Sequence, residues 1–216
     1  MTVRRLWLLC AALIGFAVAM GTVLAILPDN KSQALACRPS APKALPSGPT
    51  VLILGNSLAF DADWSLDGRQ TVNCARQGLT ASAAIPLIET LPDIAPKAVV
   101  LVFGTVELVR GNADPDAFQA DMASIAETLR ARTPDTVIVI LGVASAGENW
   151  SYNSADAEAL NAATLRIDGV SVLLLDPVLA RHEGPVSYDG VHLTPSVYTL
   201  IRAALDSHLL DDIRSH

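Results

Sequence analysis

Runs of lysine and arginine are missing from this sequence of 216 residues, which carries 15 basic and 22 acidic residues and a net charge of -7. Because nucleic-acid-binding proteins concentrate basic residues on one surface, nucleic acid is not an expected partner. The three cysteines show no Cys-x-x-Cys or cysteine–histidine spacing typical of zinc ligands. No glycine-rich loop that would hold a phosphate follows the first predicted strand. We therefore expect neither a metal nor any other cofactor.

The N-terminus carries the longest uncharged run of the chain. Residues 6–27 are apolar, and Arg4 and Arg5 precede them. The run is longer than the core of a cleaved signal peptide and long enough to span a bilayer. We therefore predict a cytoplasmic N-terminus at 1–5 and a transmembrane signal anchor at 6–27, with the positive residues on the cytoplasmic side.

A cleaved signal peptide is the alternative interpretation. Ala34-x-Ala36 offers a small-x-small cleavage site, and together with Cys37 it resembles a lipoprotein signal. Under either interpretation the rest of the chain is expected on the periplasmic or extracellular side, held at the membrane or secreted. In such an oxidising compartment Cys37 and Cys74 could form a disulfide, although two free thiols would fit the sequence as well.

Residues 28–49 are rich in proline and small polar residues, which predicts a linker ahead of a domain at 50–216. In that domain, apolar β-branched runs alternate with amphipathic patterns. Strands are predicted at 50–54, 71–75, 98–103, 136–144 and 170–176, and helices at 80–91, 115–132, 154–167 and 195–210. Continuous apolar strands alternating with helices indicate a three-layer α/β/α sandwich with a five-stranded parallel sheet.

Ser57 follows the first predicted strand in the stretch Gly55-Asn56-Ser57. Such triplets are usually turns, because glycine and asparagine tolerate unusual backbone angles. In doubly wound sheets, however, functional residues gather beyond the carboxyl ends of the strands, where Ser57 is expected. The position alone leaves a turn and a nucleophile equally open.

A serine nucleophile needs an oriented imidazole, and the sequence has four histidines. His192 stands out because it lies between the last strand and the last helix, three residues after Asp189. That spacing lets the carboxylate fold back onto one imidazole nitrogen and leaves the other for a nucleophile. An Asp-Gly turn with an exposed histidine is the other explanation.

Four blocks in order resemble the SGNH/GDSL hydrolases, which are serine esterases on a flavodoxin-like sheet. Residues 54–58, "LGNSL", are similar to the first block, with Asn56 where aspartate is commoner. Residues 73–78, "NCARQG", and 103–108, "FGTVEL", resemble the second and third blocks, and 189–193, "DGVHL", matches the last. The resemblance covers residues 50–210.

The resemblance implies roles for particular residues. Ser57 would be the nucleophile, His192 the general base and Asp189 the residue that orients the imidazole. The backbone N–H groups of Ser57 and Gly78 would donate to the oxyanion. Asn56 is a further candidate for substrate contact.

The third block departs from the family pattern at Val106, where an asparagine normally donates to the oxyanion. Removing one such donor costs about 10²–10³ in kcat in known enzymes. Thr105, Asn149 or Asn153 are candidate replacements, and Thr105 and Val106 are also candidate substrate contacts. Glu107 is expected to be a structural carboxylate.

Trp150 lies in a predicted loop after the fourth strand, where it could stack on a sugar ring or cover the core. The expected function is a serine esterase that removes small, acetyl-like acyl groups from an ester, with an envelope or extracellular glycan as one expected carrier of that ester. One alternative is an acyltransferase with the same triad. The other is a non-catalytic glycan-binding or scaffold module, favoured by Val106. The sequence does not indicate an oligomeric state.

Overall fold

A single mixed sheet forms the centre of the computed structural model, which describes residues 35–39, 49–145 and 149–215. Its strands stand in the order β1-β3-β2-β4-β5-β6. Five of them run parallel, and only β1 pairs antiparallel, at the edge beside β3. If the five parallel strands, β2 to β6, are renumbered 1 to 5 in chain order, they lie in the flavodoxin-like order 2-1-3-4-5. The strands are β1 Arg38–Pro39, β2 Thr50–Gly55, β3 Gln70–Asn73, β4 Ala98–Val102, β5 Val137–Leu141 and β6 Ser171–Leu173.

Helices cover both faces of this sheet. They are α1 Ser57–Phe60, α2 Ala81–Ile88, α3 Thr105–Val109, α4 Pro115–Arg132, α5 Ser154–Thr164, α6 Asp176–Leu179 and α7 Pro195–Ser215. The predicted three-layer α/β/α sandwich with five parallel strands is therefore confirmed. The start of α4 shows how local sequence sets an element, because Asp114 accepts from two backbone N–H groups and Pro115 occupies the first helical position.

The two faces of the sheet belong to two apolar cores. On β2, Leu52 and Leu54 point to the core shared with α2, α4 and α5, whereas Val51 and Ile53 point to the core shared with α1, α6 and α7. All four side chains are buried. Because both faces are covered, these strands are apolar at every position instead of alternating.

The folded domain begins earlier than the sequence suggested. Leu35 is buried in the core, and Arg38 and Pro39 pair with β3. A disulfide joins Cys37 to Cys74, at the end of β3. The linker predicted over 28–49 is therefore wrong at residues 35–39, because the disulfide and the strand pairing hold this segment on the sheet.

The predicted cytoplasmic segment at 1–5 and the anchor at 6–27 lie outside the described residues, and both stay predictions. Within the part of the chain that the structure describes, no helix has the length and apolar character needed to cross a membrane.

Candidate active site

Ser57 is placed by the end of β2 and the capped start of α1. A Cβ on Gly55 would collide with the carbonyl oxygen of Val102 on β4, so only glycine allows the strands to approach this closely. Asn56 then donates its backbone N–H to the same oxygen at 3.1 Å, and its Oδ1 caps the helix by accepting from Leu58 N at 3.0 Å. These contacts set Ser57 as the first residue of α1, beyond the carboxyl end of β2.

The loop between α6 and α7 brings a histidine to this serine. His192 Nε2 lies 3.2 Å from Ser57 Oγ, and His192 Nδ1 lies 2.7 Å from Asp189 Oδ2. The second carboxylate oxygen, Asp189 Oδ1, accepts from the backbone N–H groups of Val191 and His192 at 2.9 and 2.7 Å. The structure thus brings together all three residues that the resemblance singled out.

The charge of Asp189 is stabilised where it sits. Burial is the largest single influence and raises its pKa, but the hydrogen bonds from the His192 side chain and from the two backbone N–H groups together outweigh it and lower the pKa to about 2. The carboxylate is therefore ionised at neutral pH, so it accepts from Nδ1–H. That leaves Nε2 unprotonated and able to accept the hydroxyl proton of Ser57.

A tight turn holds the Asp189 side of this arrangement. Ser187 Oγ donates to His192 O at 2.8 Å and accepts from Gly190 N at 2.8 Å. The segment before α5 closes the turn from outside, since Ser151 N donates to Gly190 O at 2.8 Å. Gly190 has a φ of 82°, and a Cβ there would meet Ser151 Oγ at 2.6 Å and Asn149 O at 2.7 Å.

The loop after β3 reaches the site from the opposite side. The side chain of Asn73 donates to Ala59 O at 2.8 Å and accepts from Ala75 N at 2.9 Å. Arg76 N donates to Gly55 O at 2.9 Å. These bonds fasten the loop to the segment that carries Ser57.

Gly78 ends this loop with a φ of 68°, and the guanidinium of Arg110 donates to its carbonyl oxygen at 3.2 Å. Among the described residues, none accepts a hydrogen bond from Ser57 N or Gly78 N. Both groups are therefore available as the donors expected for an oxyanion.

Glu107 links the start of α2 to the segment ahead of α3. Its carboxylate accepts from Ala81 N at 2.7 Å, at the start of α2, and from Gly104 N at 3.1 Å, ahead of α3. Burial raises the pKa of Glu107, and the two N–H donors oppose this. It is the structural carboxylate that the sequence suggested.

Two of the predicted substrate contacts are wrong. Asn56 is fully buried, because its side chain caps α1 from below the site. Thr105 is also buried, so its hydroxyl does not face a substrate. Asn153, considered as a replacement donor, instead caps α5 by accepting from Ala155 N at 2.9 Å.

The other two predicted contacts, Val106 and Trp150, are half-buried. Val106 lies in the first turn of α3. Trp150 stacks on Tyr152 with ring centroids 5.3 Å apart, and the Tyr152 hydroxyl donates to Ala144 O at 2.9 Å. Trp150 packs against the core. The structure therefore supports the explanation that Trp150 covers the core, and its stacking on a sugar ring stays a prediction.

Sequence reasoning missed a cleft beside His192. Its volume is about 430 Å³, and its walls come from three separate segments. The first is the chain after α1, the second is the loop before His192, and the third is the first turns of α7. The only signal in the sequence was the spacing of Tyr198 and Arg202, which places them on one helical face.

The model of the GDSL-like lipase/acylhydrolase family matches residues 53–200, from β2 into α7. The chain belongs to this family. The predicted resemblance is thereby confirmed, and the protein is an ester-cleaving hydrolase. No curated protein matches the chain.

Solved structures with the GDSL-type fold agree with this assignment. A family two carbohydrate esterase from Clostridium thermocellum is 12% identical, with 78% of this chain and 65% of that one covered and a TM-score of 0.60. The esterase EstA from Pseudoalteromonas sp. is 18% identical, with 77% and 97% covered and a TM-score of 0.56. TesA is 20% identical, with 77% and 98% covered and a TM-score of 0.53. At these identities the likeness shows the fold alone.

Proposed function

We propose that this GDSL-type domain is a serine esterase that cleaves small acyl esters through an acyl-enzyme at Ser57. The observation that carries the proposal is the continuous hydrogen-bonded series Ser57 Oγ, His192 and Asp189, with separations of 3.2 and 2.7 Å. A nucleophile within reach of a base that a third group orients is the signature of covalent serine catalysis.

In the first half-reaction, Ser57 Oγ attacks the ester carbonyl carbon while its proton passes to His192 Nε2. The carbonyl oxygen becomes an oxyanion facing Ser57 N and Gly78 N. The carbon–oxygen bond to the alcohol then breaks, and the alkoxide takes the proton from Nε2. Asp189 stabilises the transient imidazolium throughout.

In the second half-reaction, water gives a proton to His192 Nε2 and attacks the acyl carbon. The bond to Ser57 Oγ breaks, the oxygen recovers its proton from Nε2, and the carboxylic acid leaves. An alcohol in place of water would make the same site an acyltransferase, which is the alternative to hydrolysis.

A location outside the cytoplasm is part of the proposal. The disulfide between Cys37 and Cys74 supports it, because disulfides persist in oxidising compartments. The apolar run at 6–27 after Arg4 and Arg5 supports it as well, as a membrane anchor or a signal peptide. An acylated envelope or extracellular glycan would then be an accessible substrate, and a carbohydrate esterase is known with the same fold.

Labelling with a fluorophosphonate probe tests the nucleophile. We expect the wild-type protein to be labelled and Ser57→Ala to be unlabelled. Ser82→Ala is the matched control, because Ser82 is an exposed serine in the first turn of α2. Equal labelling of wild type and Ser57→Ala, or none of a folded wild type, would refute the acyl-enzyme. Release of acetate or transfer to an added alcohol then separates hydrolase from transferase.

A further inference from the structure

The cleft beside His192 is the largest feature of the site region that the proposed chemistry leaves unused. It holds about 430 Å³ and opens to solvent. Besides His192, the residues on its walls that carry polar groups or aromatic rings are Asp61, Asp63, Tyr188, Tyr198, Thr199 and Arg202.

The position of the cleft indicates which part of the ester substrate, the alcohol or the acyl group, would bind there. His192 Nε2 delivers the proton to the departing alkoxide, so the alcohol part of the substrate must lie on the His192 side of the scissile bond. The cleft is lined by His192 but by neither Ser57 nor Gly78. It is therefore placed to receive the alcohol and not the acyl group.

An exposed aromatic ring stands at the mouth of this cleft. Tyr188 is a large side chain, and 69% of the residue is exposed to solvent. One face of its ring stacks on the His192 imidazole, with centroids 5.9 Å apart and planes inclined by 18°. The ring is therefore held in a fixed orientation while most of the residue stays in contact with water. The C–H face of a pyranose ring packs on such a surface.

The inner wall of the cleft offers both donors and acceptors of hydrogen bonds. Arg202 donates to Asp63 at 3.0 Å, and Asp61 lies nearby on the same wall. Mixed donors and acceptors suit a polyhydroxyl compound better than an apolar alcohol.

We propose that this cleft is a saccharide subsite, in which a pyranose ring on the alcohol side of the ester stacks on Tyr188 and hydrogen-bonds to Asp61 and Arg202. The inference rests on the proposed esterase function, which it deepens by naming the alcohol as a sugar. The subsite would make the enzyme select esters by their alcohol and not by their acyl group.

A ratio of two substrates tests the subsite. Glucose pentaacetate carries a pyranose ring, whereas ethyl acetate has the same acyl group and an alcohol too small to reach Tyr188. We expect wild type to prefer the sugar ester in kcat/KM. In Tyr188→Ala this preference should fall about tenfold, since stacked rings contribute free energy beyond the area that they bury. Tyr188→Phe keeps the ring and should restore most of the preference.

The controls separate this inference from the proposed function. Leu165→Ala removes another large exposed side chain, 59% exposed and outside the cleft, and should leave the ratio at the wild-type value. An unchanged ratio in Tyr188→Ala would overturn the subsite while the esterase stands. So would a preference for acetylcholine over glucose pentaacetate, which would mean that the aromatic and acidic wall takes a quaternary ammonium group.

If wild type hydrolyses neither ester, the proposed function fails and binding decides the subsite. Cellotetraose is then titrated into Ser57→Ala and followed by the ring signals of Tyr188 in NMR spectra. Saturable shifts that disappear in the Tyr188→Ala double variant would support the subsite. No shift at millimolar cellotetraose would overturn it.

Discussion

Val106 occupies the position at which the third sequence block of this family carries an asparagine. It is half-buried in the first turn of α3, and the N–H groups of Ser57 and Gly78 remain as oxyanion donors. Thr105 and Asn153 do not replace the missing amide, because one is buried and the other caps α5. Under the proposed mechanism the oxyanion would therefore meet the two backbone donors Ser57 N and Gly78 N, without the asparagine of the family pattern.

Val106→Asn should raise kcat for 4-nitrophenyl acetate by about tenfold to a hundredfold, because it adds a preorganised donor where the negative charge develops. Val109→Asn introduces the same amide on the same helix at a 45% exposed position and is the matched control. A similar change in both variants would show that the effect is not one of oxyanion stabilisation.

The lowered pKa of Asp189 makes the free energy of unfolding decrease as the pH falls. Its pKa is lowered from 3.8 to about 2 in the folded state, so the fold binds its proton less readily than the unfolded chain. The stabilisation is present above pH 3.8 and is lost as the pH falls through about 2. The residue is 41% exposed on its side chain, so the effect is modest.

Asp189→Asn should therefore flatten the fall in free energy of unfolding between pH 4 and pH 2, measured by urea denaturation at several pH values. Asp93→Asn, at an exposed position away from the triad, should show the same steep fall as wild type. Identical pH slopes in wild type and Asp189→Asn would contradict the ionised contact with His192.

Single residues were the most predictable part of the site. Ser57, Asp189 and His192 could be recognised because each follows a strand or precedes a helix and because their blocks occur in order. The cleft could not be recognised, because Asp61, Tyr188 and Arg202 become neighbours only when three segments pack. Asn56 was wrongly predicted to contact substrate. It lies next to Ser57 in the sequence, but its side chain is buried and caps α1.

The turn at 187–190 and the segment at 149–153 act together as one support for the catalytic aspartate. Ser151 N donates to Gly190 O, and Ser151 Oγ approaches the Asp189 carbonyl at 3.4 Å. The backbone of Gly190 lies so close to this segment that a side chain has no space. The position of Asp189 thus depends on a neighbouring element as well as on its own turn.

Gly190→Ala should lower kcat/KM for 4-nitrophenyl acetate by at least about tenfold, because a displaced turn moves Asp189 and His192 from their working geometry. Gly68→Ala is matched in backbone angle, with a φ of 65°, but its Cβ would have open space. Both variants should lose about 1–2 kcal/mol of stability to the left-handed backbone, and Gly190→Ala should lose more because its Cβ collides with Ser151 and Asn149. Equal activities in the two variants would refute the support role.

Long helices were predicted from the sequence more accurately than short helices and short strands. The predicted helix at 115–132 coincides with α4, because Asp114, Pro115 and sustained helical spacing mark it. α1, α3 and α6 were missed, since four or five residues are too few to show a helical period. β1 was missed because its two residues are held by a disulfide and by β3, which composition does not reveal.

The disulfide between Cys37 and Cys74 ties the start of the domain to the loop that carries Gly78. It closes a loop with a sequence separation of 37. A cross-link that closes a loop of this size lowers the conformational entropy of the unfolded chain. It thereby raises the free energy of unfolding by about 3–4 kcal/mol at room temperature. Stability of the whole domain therefore depends on the redox conditions around it.

Dithiothreitol should lower the free energy of unfolding by about 3–4 kcal/mol in urea denaturation of the wild-type protein. The double variant Cys37→Ser, Cys74→Ala should unfold at the lower denaturant concentration with or without the reductant. Wild-type protein that unfolds at the same urea concentration in both conditions would show that the cross-link contributes nothing.

The nucleophile and its base are 135 positions apart in the chain. A ribosome makes Ser57 long before it makes His192, and the imidazole takes its place only when the loop before α7 folds. Any shorter nascent chain carries an ordinary serine hydroxyl. Under the proposed mechanism, a growing chain would therefore be unable to hydrolyse esters until it has been made and folded through His192.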